Sequence, residues 1–324
     1  MKKAIVILLT LAMVFSFAAC GAAPAEAPAA SDGDTYTVGI CQLVQHQALD
    51  AATQGFKDAL TDALGDKVVF VEQNAAGDIP TCSTIVNGFV SDGVDLILAN
   101  ATPALQAAAE ATDSIPVLGT AVTEYGVALG IDNFSGTVGG NISGTSDLAP
   151  LDQQAAMLLE LLPDAKNVGI LYCSAEANSV YQAEVVKAEL EKSGVTVSIY
   201  TFADSNDVAA VTATACSEND ALYIPTDNTA ASCTEAINNV AEPAGVPIIA
   251  GEEGICTGCG IATLSISYYD LGVTTGKMAV KILTGEANVS DMPIEYFPDP
   301  VKKFNPTLCE ALGITVPDGY VAIG

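Results

Sequence analysis

Arginine and tryptophan are absent from this chain, and histidine occurs once, at His46. Without arginine there is no bidentate fork of the kind that clamps carboxylates and phosphates. The 11 lysines face 39 acidic residues, for a formal charge of −28. A surface of that sign repels phosphate backbones, which argues against nucleic acid and phosphorylated ligands as partners. An anionic group on a ligand must then meet backbone N–H groups, hydroxyls, amides or a rare lysine. The single histidine leaves one candidate for a Ser-His-Asp triad, and no GxSxG elbow accompanies it. His46 opens a helical stretch, where capping or packing is the commoner role. No phosphate-binding GxxxxGK[ST] loop occurs, and Gly136, Gly139 and Gly140 do not follow a first strand as a dinucleotide fingerprint does. Carboxylates are so many that pairs arise by chance, which carries no glycosidase claim.

Past the first residues, no stretch is long and apolar enough to span a bilayer. Lys2 and Lys3 precede an apolar run at 4–17, and Ala18, Ala19 and Cys20 form a small-residue cleavage site. Cys20 followed by Gly21 resembles a bacterial lipobox, in which that cysteine is lipidated and becomes the new N-terminus. Residues 1–20 are therefore expected to be a lipoprotein signal peptide. Residues 21–35, rich in Ala and Pro, are expected to be a flexible tether.

Eight cysteines remain: 41, 82, 173, 216, 233, 256, 259 and 309. An exported chain can pair some of them, but one this long needs no disulfide framework. Cys256 and Cys259 make a lone CxxC with no second pair and no nearby histidine, too few ligands for structural zinc. A redox pair, a local disulfide and buried free thiols all stay open. No metal and no cofactor is expected.

From position 37 the chain alternates strands and helices. Strands are expected near 38–43, 68–71, 95–99, 115–118 and 127–130, with helices at 46–64, 84–90 and 103–111 between them. After a helix at 151–162 the rhythm restarts, with strands at 168–172, 195–200, 221–224, 247–250 and 261–266. Helices are expected at 179–192, 208–216 and 229–241. The similar spacing implies two α/β lobes of like topology with mostly parallel sheets. A helix at 270–283, an extended stretch at 293–300 and a short tail recross between them.

Polar residues cluster where the strands end. The clearest case is the apolar run 221–224, which stops at Thr226, Asp227 and Asn228 before a helix. Such turns lie at the carboxyl ends of strands, where open α/β sheets bind ligands, although the same residues also cap helices. Equivalent turns carry Gln42, Gln45 and His46, then Thr102, Thr120 and Thr123, and in the second half Ser174, Asn178, Ser179, Glu252 and Glu253. Facing each other across a cleft, these hydroxyls, amides and carboxylates suit binding better than nucleophilic catalysis.

Six blocks stand out: Gly39 to Asp50 with Gly55 and Phe56; Ala101, Thr102 and Pro103; Gly144 to Asp147; Ala177, Asn178 and Ser179; Tyr223 to Thr229; and Tyr268 to Gly272. Together they resemble the tryptophan/tyrosine-type ABC transporter substrate-binding proteins. The chain departs from the family at Gln45 and Gln47, beside the first-helix histidine, and in the cysteines of 251–260. The resemblance implies a type I periplasmic-binding fold with three crossings near 143–147, 265–269 and 293–298. Residues 36–145 plus 268–294 are expected to form one lobe, and 146–267 plus 295–324 the other. It also implies a non-catalytic, monomeric, lipid-anchored extracytoplasmic receptor, closing on a small ligand and delivering it to a permease with an ATPase partner.

The best ligand on that reading is an aromatic amino acid. Other amino acids, nucleosides, sugars, a sensory role and a secreted hydrolase remain the alternatives. Expected contacts are Gln45, His46, Thr102, Ser146, Asp147, Asn178, Ser179, Thr226, Asp227, Asn228, Glu252 and Tyr268. The carboxylate is expected near Asn178, Ser179 and Thr102, where helix N-termini meet hydroxyls. Asp227 is expected to hold the ammonium, with Asp147 and Glu252 as rivals. Tyr268, Tyr269, Tyr125 and Phe134 are the candidates for stacking.

Overall fold

Consecutive apolar runs become strands buried on both faces, and the amphipathic stretches between them become the covering helices. The computed structural model describes residues 35–297 and 300–323. The signal-peptide, Cys20 and most of the tether expectations fall outside that range.

The first lobe runs β1 (Tyr36–Gln42), α1 (Gln47–Leu64), β2 (Val68–Asn74), α2 (Ile79–Asp92), β3 (Leu96–Asn100), α3 (Thr102–Ala111), β4 (Val117–Val122), α4 (Tyr125–Leu129) and β5 (Ile142–Ser146). The second runs α5 (Leu151–Leu161), β6 (Asn167–Cys173), α6 (Ala177–Lys192), β7 (Thr196–Phe202), α7 (Val208–Glu218), β8 (Ala221–Ile224), α8 (Asn228–Ser232), α9 (Thr234–Ala244), β9 (Ile248–Ala250), α10 (Glu253–Cys259) and β10 (Ala262–Ser265). The chain ends with α11 (Tyr268–Leu283), β11 (Glu295–Tyr296), β12 (Val301–Phe304), α12 (Pro306–Leu312) and β13 (Val321–Ala322).

One sheet has the order β11-β5-β4-β3-β1-β2 and the other β13-β12-β10-β9-β8-β6-β7. All pairings are parallel except β10 with β12. In each lobe the first strand lies between the second and the third. Both sheets therefore have a topological switch point, and a crevice opens at the carboxyl ends of the strands there. The fold is the two-lobed α/β architecture of the type I periplasmic-binding proteins.

Four expectations differ from the structure. Residues 127–130 were expected as a strand, but Glu124 accepts the Val127 N–H at 2.5 Å and Gly130 ends a helical turn in the left-handed region. Those local caps outweigh a short apolar run, and β5 forms at 142–146 instead. The expected helix at 229–241 breaks at Cys233 into α8 and α9, and 251–260, where no helix is expected, contains α10. The lobe boundary expected before 295 lies further on. Glu295 and Tyr296 pair with Thr145 and Ser146, so both they and Ser146 belong to the first sheet. The first two crossings are then 147–150 and 266–267, and the chain leaves the first sheet at Tyr296 and joins the second at Val301.

The second crossing leads into α11, which packs on α1 through Phe56, Leu60, Met278 and Ala279. Close approach depends on glycine: a Cβ at Gly272 would lie 2.0 Å from the Ala52 carbonyl oxygen, and one at Gly55 2.1 Å from that of Tyr269. Gly272→Val must push the helices apart. It is expected to cost about 1–3 kcal/mol, lowering the melting temperature by several degrees in thermal denaturation; an unchanged midpoint would contradict this packing.

Candidate ligand-binding site

Between the facing strand ends lies a narrow crevice, with room for about 10 Å³ of water-sized space in the arrangement seen here. His46, Ala48, Leu49, Ala121 and Thr123 form its first-lobe wall. Asn178, Thr226, Asp227, Asn228, Ala231 and Glu252 form the wall of the second lobe, the first crossing contributes Asp147, and the start of α11 contributes Tyr268. Among the described residues no lysine lines it, so its carboxylates have no cationic neighbour on the wall.

Glu176, the residue before α6, builds the second wall. Its carboxylate does not cap its own helix. It reaches instead to the start of α8, where Oε2 accepts the Asn228 N–H at 3.0 Å and the Asn228 Nδ2 at 2.7 Å. Oε1 accepts the Thr229 N–H at 2.9 Å and its hydroxyl at 2.8 Å. Asp227 caps α8: Oδ1 accepts from Ala230 N and Oδ2 from Cys173 N, each at 2.7 Å. Glu252 caps α10 in the same way, accepting from Gly254 N at 2.6 Å and from Ile255 N.

This arrangement changes the roles expected within the turn. Asp227 is expected from the sequence to hold the ligand ammonium. Here both Asp227 oxygens hold backbone N–H groups, and Asn228 faces the cleft. Its Oδ1 lies 3.2 Å from His46 Nε2, so the pair links the two lobes directly. Thr226 closes the wall by donating its hydroxyl to the Gly251 carbonyl at 3.3 Å.

Of the three carboxylates on the wall, Asp147 alone keeps an unpartnered oxygen. Oδ2 accepts the Tyr268 hydroxyl at 2.8 Å, while Oδ1 has no partner among the described residues. His46 Nδ1 and Asn178 Oδ1 are likewise buried and without partners there. Thr102 is buried with an unpartnered hydroxyl, but it lies off the cavity wall. Ser146 donates to the Thr123 carbonyl at 2.7 Å, and Ser179 sits beneath Asn178, 3.3 Å from its Nδ2. Gln45 is exposed outside the cavity. Tyr268 is the only one of the four aromatic candidates on the wall. Tyr125 is buried with its hydroxyl on the Thr145 carbonyl at 3.1 Å, and Tyr269 is exposed with its hydroxyl on Asp58 at 2.9 Å.

Glu176 behind the wall and Ala121 on it are among the residues the sequence reading missed. Glu176 had a weak signal, an acidic residue immediately before a helix start. Ala121 had none: its φ of 51° is unusual for alanine, and it lies within the β4–β5 register shift between Gly119 and Val122.

Burial without a cation raises the acids. Burial first, then the neighbouring Glu176, pushes Asp227 up to about 8 against its backbone hydrogen bonds. Burial pushes Glu252 up to about 7 and raises Asp147, while it lowers His46. A carboxyl raised in the folded state contributes stability that is full below the ordinary carboxylate range and lost as pH rises through the raised value. The ligand-free chain is therefore expected to melt at progressively lower temperature from pH 5 to pH 9. Asp227→Asn should flatten that profile; identical pH slopes for the two proteins would contradict it.

Residues 37–322 match the family described as ABC transporter substrate binding protein. A tyrosine-binding protein from Clostridioides difficile (strain R20291) is 38% identical over 260 residues, covering 79% of this chain and 75% of that protein. A Streptococcus pneumonia ABC domain solved in complex with L-Trp superposes with a TM-score of 0.85 at 33% identity, over 90% of this chain and 100% of that one. The ligand-free, open structure of a Clostridium difficile substrate-binding protein with adhesive properties superposes with a TM-score of 0.67 at 37% identity, over 89% of this chain and 99% of that one. The more similar sequence superposes less well. In this chain the two lobes meet directly through His46 and Asn228.

Proposed function

Because the chain belongs to the ABC transporter substrate-binding protein family, we propose that it is the receptor of an ABC importer, with an aromatic amino acid, tyrosine or tryptophan, as its ligand. The family binds solutes outside the cytoplasm and is not a family of enzymes. The observation that carries the ligand reading is the inter-lobe crevice, whose wall holds buried polar atoms without partners. Such atoms are costly unless something fills the space and bonds to them. Tyrosine and tryptophan, named for the two relatives, supply both polar ends and an apolar body. Ala48, Leu49, Ala121, Ala231 and the ring of Tyr268 provide the apolar surface.

The ligand carboxylate is assigned to the first turns of α1 and α6. Neither helix has a side-chain cap bond, and Ala48, Leu49 and Asn178 of those turns line the cavity. Uncapped N–H groups at the positive end of a helix dipole replace the arginine this chain lacks. Lipidation at Cys20 would tether the monomer outside the membrane, within reach of a permease and its ATPase.

Thermal-shift screening followed by calorimetry tests the reading. Tyrosine or tryptophan is expected to raise the melting midpoint, by about 2.7 kcal/mol of added stability at 100 times Kd. A response to nucleosides or sugars, with none to aromatic amino acids, would replace this reading with the rival one.

A further inference from the structure

The three unpartnered atoms on the cavity wall share one chemistry. Asn178 Nδ2 donates to the Thr226 carbonyl at 2.9 Å, which fixes the amide and leaves Oδ1 as an acceptor. Asn228 Nδ2 donates to Glu176 Oε2 at 2.7 Å, so Asn228 Oδ1 presents lone pairs to His46. His46 Nε2 must then carry the proton, and in the neutral ring Nδ1 is a bare lone pair. Burial favours that neutral ring over the charged one, although the Asn228 hydrogen bond, then Glu176 and Asp50, pull the other way. Asp147 Oδ2 is occupied by Tyr268, and Oδ1 is the third acceptor.

Asp147 and Asn178 are each 4% exposed. No side chain among the described lining residues brings a positive charge to them. The wall therefore presents three acceptors, one of them a carboxylate oxygen, with no cation opposite.

We propose that His46 Nδ1, Asp147 Oδ1 and Asn178 Oδ1 together hold the primary ammonium of the ligand, one N–H to each. Asp147 supplies the charge. The Nε2–H tautomer of His46 and the pinned amide of Asn178 set the number of N–H groups the site requires. Glu176 acts through Asn228 as a positioning residue, because it determines which nitrogen of His46 is bare. The site thus discriminates primary amines from N-methylated or desamino analogues of the same body. This deepens the amino-acid reading above and rests on it.

The test is calorimetry on the folded chain with L-tyrosine, L-tryptophan, L-leucine, N-methyl-L-tyrosine and 3-(4-hydroxyphenyl)propionate. The expected results are about tenfold weaker binding on N-methylation and at least 100-fold weaker binding of the desamino acid, at about one lost hydrogen bond per tenfold. Asn178→Ala is expected to bind L-tyrosine about tenfold more weakly. The further loss on N-methylation should then fall below about threefold, since an acceptor is already missing. A purely structural role for Asn178 would leave that methylation penalty unchanged.

Equal affinity for L-tyrosine and its N-methyl or desamino analogue overturns the three-acceptor site and leaves the aromatic reading standing. Binding of L-leucine but not of the aromatic amino acids does the reverse. Failure of all three primary amines to bind overturns both. The ligand series on the unaltered chain decides the matter even where a variant does not fold.

Discussion

Asp147→Asn is expected to weaken L-tyrosine binding by about 100-fold, close to 2.7 kcal/mol, while leaving the ligand-free protein at least as stable. The two effects separate because Asp147 is a buried acid whose counter-charge arrives only with the ligand. In the free protein it has a hydrogen bond from Tyr268 and no cation, and burial raises its pKa. Asparagine keeps the shape and can still accept from Tyr268, so little native structure is lost. On binding, the ammonium loses a charged partner, and truncating one side of a buried charged pair costs about 2–5 kcal/mol. The pH dependence has a definite sign. Asp147 contributes stability that is lost as pH rises through its raised pKa. The melting temperature of Asp147→Asn should therefore gain on the parent from pH 5 to pH 9. Calorimetry at pH 7 with melts across that range gives the readout, and unchanged affinity would remove Asp147 from the ammonium site.

Glu176→Ala is expected to have the largest effect on stability. Its 1%-exposed carboxylate accepts two backbone N–H groups, one amide and one hydroxyl from Asn228 and Thr229. Stranding buried donors costs about 1–3 kcal/mol each, less when water enters the space left behind. One gain offsets this: Asp227, held up partly by Glu176, loses a repulsive neighbour. The net loss is set at about 3–5 kcal/mol, with a fall in melting temperature on the order of 10 °C. Binding should weaken more than tenfold as well, because Asn228 loses the bond that orients it toward His46. Thermal denaturation by circular dichroism measures the first effect. A loss below about 1 kcal/mol would mean that the α8 turn stands without Glu176.

How far the site could be read from the chain is clearest around β8. Its limits, 221–224, were evident because a run of apolar residues ended in three polar ones. The placement of those three at the cleft also followed, since strand ends at a switch point face it. Which of them turns inward did not. Asp227 and Asn228 are both short, polar and able to cap, and their roles are divided by Glu176, fifty-one positions earlier in the chain and brought there by β6 lying beside β8. In the same way α10 carries no helical signal in the sequence and depends on the Glu252 cap, and 127–130 reads as a strand although Glu124 and Gly130 close it into a turn.

The chain by itself determined the α/β class, the two-lobe repeat, the acidic surface and the need to bind anions without arginine. These rest on periodicity, composition and charge, which are summed over many residues and survive local errors. Tertiary structure decided the protonated nitrogen of His46, the free oxygen of Asp147, the capping role of Asp227, and the transfer of Glu295 and Tyr296 to the first sheet. Each of these depends on one hydrogen bond or one strand pairing between segments far apart in sequence. No local pattern carries that information, because the partner is supplied only when the lobes fold and close.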